Sequence, residues 1–169
     1  LYFFRIYENE LIQQTERELI SQSAALAASF RALARNLQPE GPIYGKFLPK
    51  LPPPNSEYQP IIPSLSLINP IQPRRPDALP TQTTIDAIAQ QIGSLMKPVM
   101  LDTQRITLSG MRLLDVNGTV IAGREEVGLS LAHLPEVQRA LHGYYASVIR
   151  QRLSDQPPPP LYSVSRGTL

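Results

Sequence analysis

The sequence contains no cysteine and few charged residues, and each shortage excludes a class of function. Without cysteine there is no disulfide, no cysteine-ligated zinc, no iron–sulfur cluster and no thiol catalysis. Charged residues make up 18% of the 169 residues, and the net charge of +2 is too small to predict electrostatic binding of nucleic acid. No apolar run reaches the ~18 residues that span a bilayer, and no signal peptide is visible. The sequence starts at Leu1 rather than methionine, so we expect it to be cut from a longer chain.

Motifs for catalysis are also scarce. The two histidines, His133 and His142, are nine residues apart, which is not a metal-ligand spacing. There is no Gly-x-Ser-x-Gly elbow and no glycine-rich phosphate loop. Asp115–Gly118 resembles the start of a calcium loop but lacks the other ligands, so a hairpin turn is the better interpretation. Glu125 and Glu126 form either a catalytic carboxylate pair or, as we favour, a solvated edge. The sequence therefore disfavours a hydrolase and predicts no enzyme, metal or cofactor.

Proline is unusually frequent, and most of it lies in one segment. Twelve of the 18 prolines fall between Pro39 and Pro80. Each proline removes an amide donor and disfavours helix in the residue before it, so this connector is expected to be extended or polyproline II. Such a segment can be a free linker or a ligand for SH3-type domains. Its apolar content favours a connector wrapped over the core: Leu48, Leu51, Ile61, Ile62, Leu65, Leu67, Ile68 and Ile71.

A long helix is predicted before the connector. Residues Tyr7–Leu37 contain no proline or glycine and many alanines. Apolar residues and one threonine recur at spacings of mostly three or four: Leu11, Thr15, Leu19, Leu26, Phe30, Leu33 and Leu37. A helix of this length extends for ~45 Å, which is more than a domain of this size covers. Part of it is expected to project or to pair with another helix, and packing within the domain is the alternative for the same stripe.

The segment before this helix, Leu1–Tyr7, is aromatic and apolar. Such a cluster is typical of the end of a membrane helix at the headgroup level. A hydrophobic helix start that packs on the core would have the same composition.

The remainder alternates between helix and strand patterns. A second helix is predicted from Thr83 or Thr84, where Thr83 and Asp86 resemble a capping box, and Pro98 is expected to kink or end it. A third helix is predicted for Pro135–Leu141, with proline in its first turn. Strands are predicted at Met111–Asp115, Thr119–Ala122, Tyr144–Arg152 and Leu161–Thr168, with an Asn117-Gly118 hairpin turn joining the first two. The pattern predicts one α+β domain with a small antiparallel sheet flanked by the long N-terminal helix and the second helix.

Arginine and tyrosine residues on these strands form a candidate ligand site. The four residues are Arg112, Tyr144, Arg150 and Arg166. If the strand faces converge, the guanidinium groups can bind a small anion or carboxylate, because they pair bidentately with such groups. The alternative for each arginine is an ordinary charge on an exposed sheet face.

The order of motifs in the second half resembles a known family. The matching pieces are Asp115–Gly118, Val120–Gly123, Val127–Ser130, Pro135–Val137, Ala140–Gly143 and Tyr145–Ser147. They resemble the Cache or PAS-like extracytoplasmic sensor domains of bacterial membrane histidine kinases. In that group a "Leu-Asp-x-x-Gly-x-Val-x-Ala" hairpin precedes an "x-Gly-x-x-Leu" turn and a helix ending in "Ala-Leu-x-Gly". The resemblance covers about Leu113–Ser147, and the proline-rich connector is long for the group.

The resemblance implies a signal receiver rather than a catalyst. It implies that residues 1–169 are one periplasmic sensor domain of an inner-membrane protein. The helix of residues 1–38 would continue from a membrane span and form a homodimer, followed by the connector of residues 39–82 and a PAS-like unit of residues 83–169. The signal would be a small ligand or a periplasmic protein. Two rivals stay open: the sensor of a chemoreceptor or cyclase, which use the same receiver fold, and a protein-interaction module without a small-molecule site.

Overall fold

The computed structural model describes residues 2–41, 58 and 60–151, with side chains from residue 5 onward. This part of the chain is a mixed α+β structure with three helices and two antiparallel pairs of short strands. In chain order the elements are α1 (Tyr2–Leu37), β1 (Leu79–Pro80), α2 (Ala87–Thr107), β2 (Arg112–Leu114), β3 (Val120–Gly123), β4 (Leu129–Ser130) and α3 (Pro135–Leu141). The α+β class is therefore confirmed, although the described residues form two two-stranded sheets where the sequence predicted one small sheet.

The long helix α1 confirms the prediction and starts five residues earlier than its predicted boundary. At 36 residues it extends for about 54 Å. Its C-terminal half packs into the main core through Phe30 and Ala34, whereas Leu11 and Leu19 of the predicted stripe stay exposed. The stripe therefore divides between intramolecular packing and open surface.

Helix α2 differs from the prediction at its start and in its middle. It begins at Ala87, and Asp86 itself is the N-cap, because its carboxylate accepts a hydrogen bond from Ala89 N at 2.9 Å. The predicted start at Thr83 or Thr84 was wrong by one turn. Pro98 does not end the helix, which continues to Thr107. Met96 and Met100 on either side of Pro98 are buried in the core, and this tertiary packing outweighs the cost of a proline in the helix interior.

The hairpin β2–β3 and helix α3 match their predictions. The Asn117-Gly118 turn joins the two antiparallel strands, and Gly118 has a φ of +79°, in the region that favours glycine. Helix α3 has the predicted bounds, with Pro135 in its first turn. All four residues of β3 are buried, because α2 covers the strand on one side while Val120 joins Leu131 and Leu134 in a second cluster.

The strand predicted for Tyr144–Arg152 was wrong within the described residues. Residues 144–151 form no strand and make one isolated parallel bridge, between Gln72 and Arg150. The backbone groups pair instead with the connector, through Gln72 N to Ile149 O and Gln151 N to Gln72 O, both at 2.8 Å. An alternating pattern predicts a strand only where a neighbouring strand is present to pair with it. The strand predicted for Leu161–Thr168 lies outside the described residues.

The described part of the connector, residues 60–80, is wrapped over the domain. Ser64 and Leu65 donate backbone hydrogen bonds to α1, Gln72 pairs with the C-terminal segment, and β1 pairs with β4. This confirms that these residues are wrapped on the domain, but the expected reason was wrong: Ile62, Leu67, Ile68 and Ile71 are exposed, and hydrogen bonds hold the segment instead. The apolar residues Leu48 and Leu51 lie outside the described part.

Candidate functional site

A carboxylate held by two arginines lies between the connector and the hairpin. Arg75 Nη2 donates to Glu126 Oε1 at 2.6 Å, and Arg112 Nε donates to Glu126 Oε2. The Glu126 side chain is only 17% exposed, and its backbone has a φ of +65° in the turn between β3 and β4. A non-glycine residue in this region is strained, so the paired arginines and the turn together hold Glu126 in place.

The hydrogen bonds and charges of the two arginines lower the pKa of Glu126. Burial of the carboxyl raises its pKa, but the hydrogen bonds and positive charges of Arg75 and Arg112 outweigh burial and hold the pKa below its ordinary value. Glu126 is therefore ionised at neutral pH. The second terminal nitrogen of Arg75, Nη1, is buried and has no hydrogen-bond partner among the residues that the structure describes.

A pocket of about 190 Å³ opens beside this ion pair. The end of α2, the loop after it, strand β2 and the turn after β3 supply its walls: Gln104, Gly110, Met111, Arg112, Arg124 and Glu125. Its lining carries two guanidinium groups and one amide against a single carboxylate. Arg124 is exposed and lies 3.9 Å from Glu125, so its pairing is loose. The arrangement suits a small anion, because both guanidinium groups can pair bidentately with a carboxylate or phosphate.

The described residues of the predicted ligand site do not all line this pocket. Arg112 lines the pocket, whereas Arg150 forms a bidentate pair with Glu136 of α3, with Nη2 at 2.8 and 2.9 Å from its two oxygens. Arg150 Nη1 also donates to the carbonyl of Pro73 in the connector. Tyr144 is half-exposed after α3, and Arg166 lies outside the described residues. The proposed ligand role of these four residues stays a prediction.

Sequence reasoning missed Arg75, Arg124 and the pairing of Glu126. Glu125 and Glu126 are adjacent in the sequence but differ in surroundings, since Glu125 is exposed and Glu126 is largely buried. The predicted solvated edge therefore holds for Glu125 and was wrong for Glu126. The sequence around Arg75 does not predict where its side chain lies, because the position of Arg75 depends on the path of the connector.

A second buried carboxylate, Glu16 of α1, fixes the long helix to the rest of the domain. Glu16 is 2% exposed and accepts hydrogen bonds from Ser64 N and Leu65 N, each at 2.8 Å, and from Tyr145 Oη at 2.9 Å. The Tyr145 hydroxyl also contacts Ser147 Oγ. The connector and the segment after α3 therefore meet on one side chain of α1.

The pKa values of this cluster follow from its hydrogen bonds. Burial raises the pKa of Glu16, but the hydrogen bonds from Leu65, Ser147, Tyr145 and Ser64 outweigh it and hold the pKa below its ordinary value. Burial and the neighbouring carboxylate raise the pKa of Tyr145. At neutral pH the ionised carboxylate thus faces a protonated phenol, which is the arrangement that their hydrogen bond requires.

Metal binding finds no support among residues 2–41, 58 and 60–151, where no group of histidine, aspartate and glutamate side chains is arranged to hold an ion. His142 Nδ1 contacts the carbonyl of Gln138 at 2.7 Å, and both ring nitrogens of His133 are buried without a partner. The described helices also include none that is long and apolar enough to cross a membrane.

Comparison of the chain with protein-family models, with curated proteins and with solved structures finds no match.

Proposed function

We propose that this chain is the extracytoplasmic sensor domain of a bacterial membrane receptor, of the PAS or Cache type, and that its parent is a sensor histidine kinase. The observation that carries the proposal is the arginine-lined pocket beside Glu126, which adjoins the β2–β3 hairpin; this hairpin contributes Ile121 and Ala122 to the main core. The order of motifs from Leu113 to Ser147 and the long N-terminal helix support the same family.

The proposed ligand is a small anion, such as a carboxylate, bound between Arg112 and Arg124. An anion in this pocket competes with Glu126 for the Arg112 guanidinium. Glu126 also holds Arg75 of the connector, so a weaker Arg112–Glu126 pair alters how firmly the connector is held. Signalling requires that the ligand bind two conformations with different affinity, and this competition supplies such a difference.

Direct packing offers a route from the pocket to the helix. Arg112 lies on β2, β2 pairs with β3, and β3 packs under α2 through Ile121 and Gly93. Helix α2 in turn packs on the C-terminal half of α1 through the core that contains Phe30. A shift at the hairpin is therefore passed on to α1, which in this proposal enters the membrane and conveys the signal to a cytoplasmic kinase.

A homodimer through α1 belongs to the same proposal. The contact would lie in the N-terminal half of the helix, because Leu26 and Leu33 pack against the main core of their own chain. Leu11 and Leu19, two helical turns apart, are 44% and 46% exposed and are available to a partner helix. Sedimentation of the chain tests this contact, and a monomer at every concentration would contradict it.

The test of the ligand site is a thermal-shift screen against amino acids, organic acids, phosphate and other small anions. At a hundredfold excess over its dissociation constant, a true ligand stabilises the fold by about 2.7 kcal/mol, which raises the Tm by several degrees. We expect Arg112→Ala and Arg124→Ala to remove this shift. Arg105→Ala is the control, because Arg105 is an exposed arginine of α2 that pairs with Asp102 and does not line the pocket. An anion that stabilises all three variants equally would refute the site.

A further inference from the structure

Exposed apolar side chains are concentrated in the described part of the connector. A soluble surface normally carries large apolar side chains singly. Here a short stretch of chain exposes five of them, and Ile68, at 93%, is the most exposed large hydrophobic residue of the described chain. The five are Tyr58, Ile62, Leu67, Ile68 and Ile71.

Leu67 and Ile68 form the tip of a turn that is closed by hydrogen bonds between Ser66 and Asn69. Asn69 Oδ1 accepts from Ser66 N at 2.7 Å and from Ser66 Oγ at 3.0 Å, and Asn69 N donates to Ser66 O at 3.0 Å. The polar groups at the base of the turn are therefore satisfied within the turn. This lowers the cost of moving the tip into an apolar medium, where an unpaired amide is expensive.

Hydrogen bonds to α1 locate this turn near the start of the long helix. Leu67 N donates to Asn9 Oδ1 at 3.2 Å, and the backbone just before the turn is held by Glu16. Ile6 and Tyr7, on the helical turn before Asn9, are also exposed. The connector turn therefore lies close to the first described side chains of α1, which include Ile6 and Tyr7.

The composition of the connector at this end favours a lipid surface over a protein partner. Residues 58–76 contain no aspartate or glutamate and two arginines, Arg74 and Arg75. Arg75 is used by Glu126, but Arg74 is exposed; on the adjoining start of α1, Arg5, Glu8 and Glu10 are all exposed. Within residues 58–76, exposed aliphatic and aromatic side chains accompanied by arginine and without acidic residues suit the headgroup region of a bilayer.

We infer that the Ser66–Ile71 turn rests on the surface of a lipid bilayer beside the start of α1, with the Leu67 and Ile68 side chains in the headgroup region. The inference rests on the proposed function, which brings the N-terminal end of α1 to a membrane. It adds a second point of contact, so that the connector and the helix both report on the orientation of the domain relative to the bilayer.

The experiment uses the absence of tryptophan from the chain. Ile68→Trp introduces a single fluorophore at the tip, and Ile106→Trp, at an 85% exposed position on α2, is the matched control. Each variant is mixed with vesicles of three parts phosphatidylethanolamine to one part phosphatidylglycerol. We expect a blue shift of the emission for Ile68→Trp and none for Ile106→Trp. The double substitution Leu67→Ser and Ile68→Ser is expected to reduce co-flotation with vesicles about tenfold, since the apolar side chains supply the binding free energy, without changing the Tm.

Three results would overturn the inference: an unchanged Ile68→Trp spectrum, an equal shift of both fluorophores, or a shift that appears without lipid as the protein concentration rises. The last result would assign the turn to a second copy of the chain. Arg105→Ala is expected to bind vesicles as the unsubstituted chain does, because Arg105 is an exposed residue of α2 that pairs with Asp102 and belongs neither to the connector nor to the pocket. Loss of vesicle binding with intact anion binding would therefore remove only this inference, and the reverse would remove only the proposed ligand site.

Discussion

Glu16 shows how one side chain can hold together segments that are distant in the sequence. Its hydrogen-bond partners lie 48, 49 and 129 residues away. A buried carboxylate is tolerated because each of its oxygens accepts a hydrogen bond. An amphipathic pattern assigns a glutamate to the polar face of a helix, so the sequence offers no signal for this role.

Replacing Glu16 by alanine is expected to lower the free energy of unfolding by about 3 kcal/mol. The substitution leaves Ser64 N, Leu65 N and Tyr145 Oη without their acceptor, and each unsatisfied donor costs about 1 kcal/mol. Urea denaturation of the two proteins measures the difference. Glu18→Ala is the control, because Glu18 is exposed on the same helix and should change stability by less than about 0.5 kcal/mol. Equal losses for both variants would contradict the role of Glu16.

At the level of elements, α2 packs closely against β3. A Cβ atom added to Gly93 would lie 2.6 Å from the backbone oxygen of Ile121. The helix can therefore reach the strand only with glycine at this position, although glycine weakens a helix interior. The close contact is what allows β3 to be buried on its helix-facing side.

Gly93→Ala is expected to destabilise the domain by about 1 to 2 kcal/mol. Alanine gains about 1 kcal/mol in helix propensity, but the clash with the strand backbone forces the helix outward and costs more than that gain. Gly110→Ala is the matched control, since its new Cβ would meet nothing closer than 4.0 Å. Thermal unfolding compares the two, and a Gly93→Ala protein as stable as the control would show that the helix and strand are not in close contact.

Helices and strands could be predicted where a few neighbouring residues specify the backbone geometry. The start of α3 follows from Pro135, and the hairpin follows from Asn117-Gly118, because each residue type specifies its own backbone geometry. The strand predicted for Tyr144–Arg152 was wrong because strand formation depends on a pairing partner elsewhere in the chain. The continuation of α2 beyond Pro98 likewise depends on the packing of the neighbouring methionines.

At the level of the whole molecule, two buried carboxylates hold the connector to the domain. Glu16 binds it at residues 64 and 65, and Glu126 binds it at Arg75. Both have pKa values below the ordinary glutamate value in the folded state. The unfolded chain therefore binds protons more readily than the folded one in acid.

Stability is consequently expected to fall as the pH is lowered through the glutamate range. The contribution of both groups is fully present above the unfolded pKa of about 4.3, and it is lost as the pH falls through their lower folded values. The facing charged and titratable groups are Tyr145 at Glu16, and Arg75 and Arg112 at Glu126. Chemical denaturation between pH 6 and pH 3 measures the loss. The double variant Glu16→Gln and Glu126→Gln should show a flatter profile, and a profile as steep as that of the unsubstituted chain would assign the acid sensitivity to other groups.

The sequence by itself determined the class of the fold, the long helix, the hairpin and the third helix, because periodicity and turn chemistry act over a few residues. It also indicated that Arg112 of the hairpin is a candidate ligand-binding residue. Only the tertiary structure decided which arginines share a carboxylate, that Glu16 is buried, and that the connector is held against α1. Those features depend on the path of a proline-rich segment without a periodic pattern, and that path is set by contacts between residues far apart in the chain.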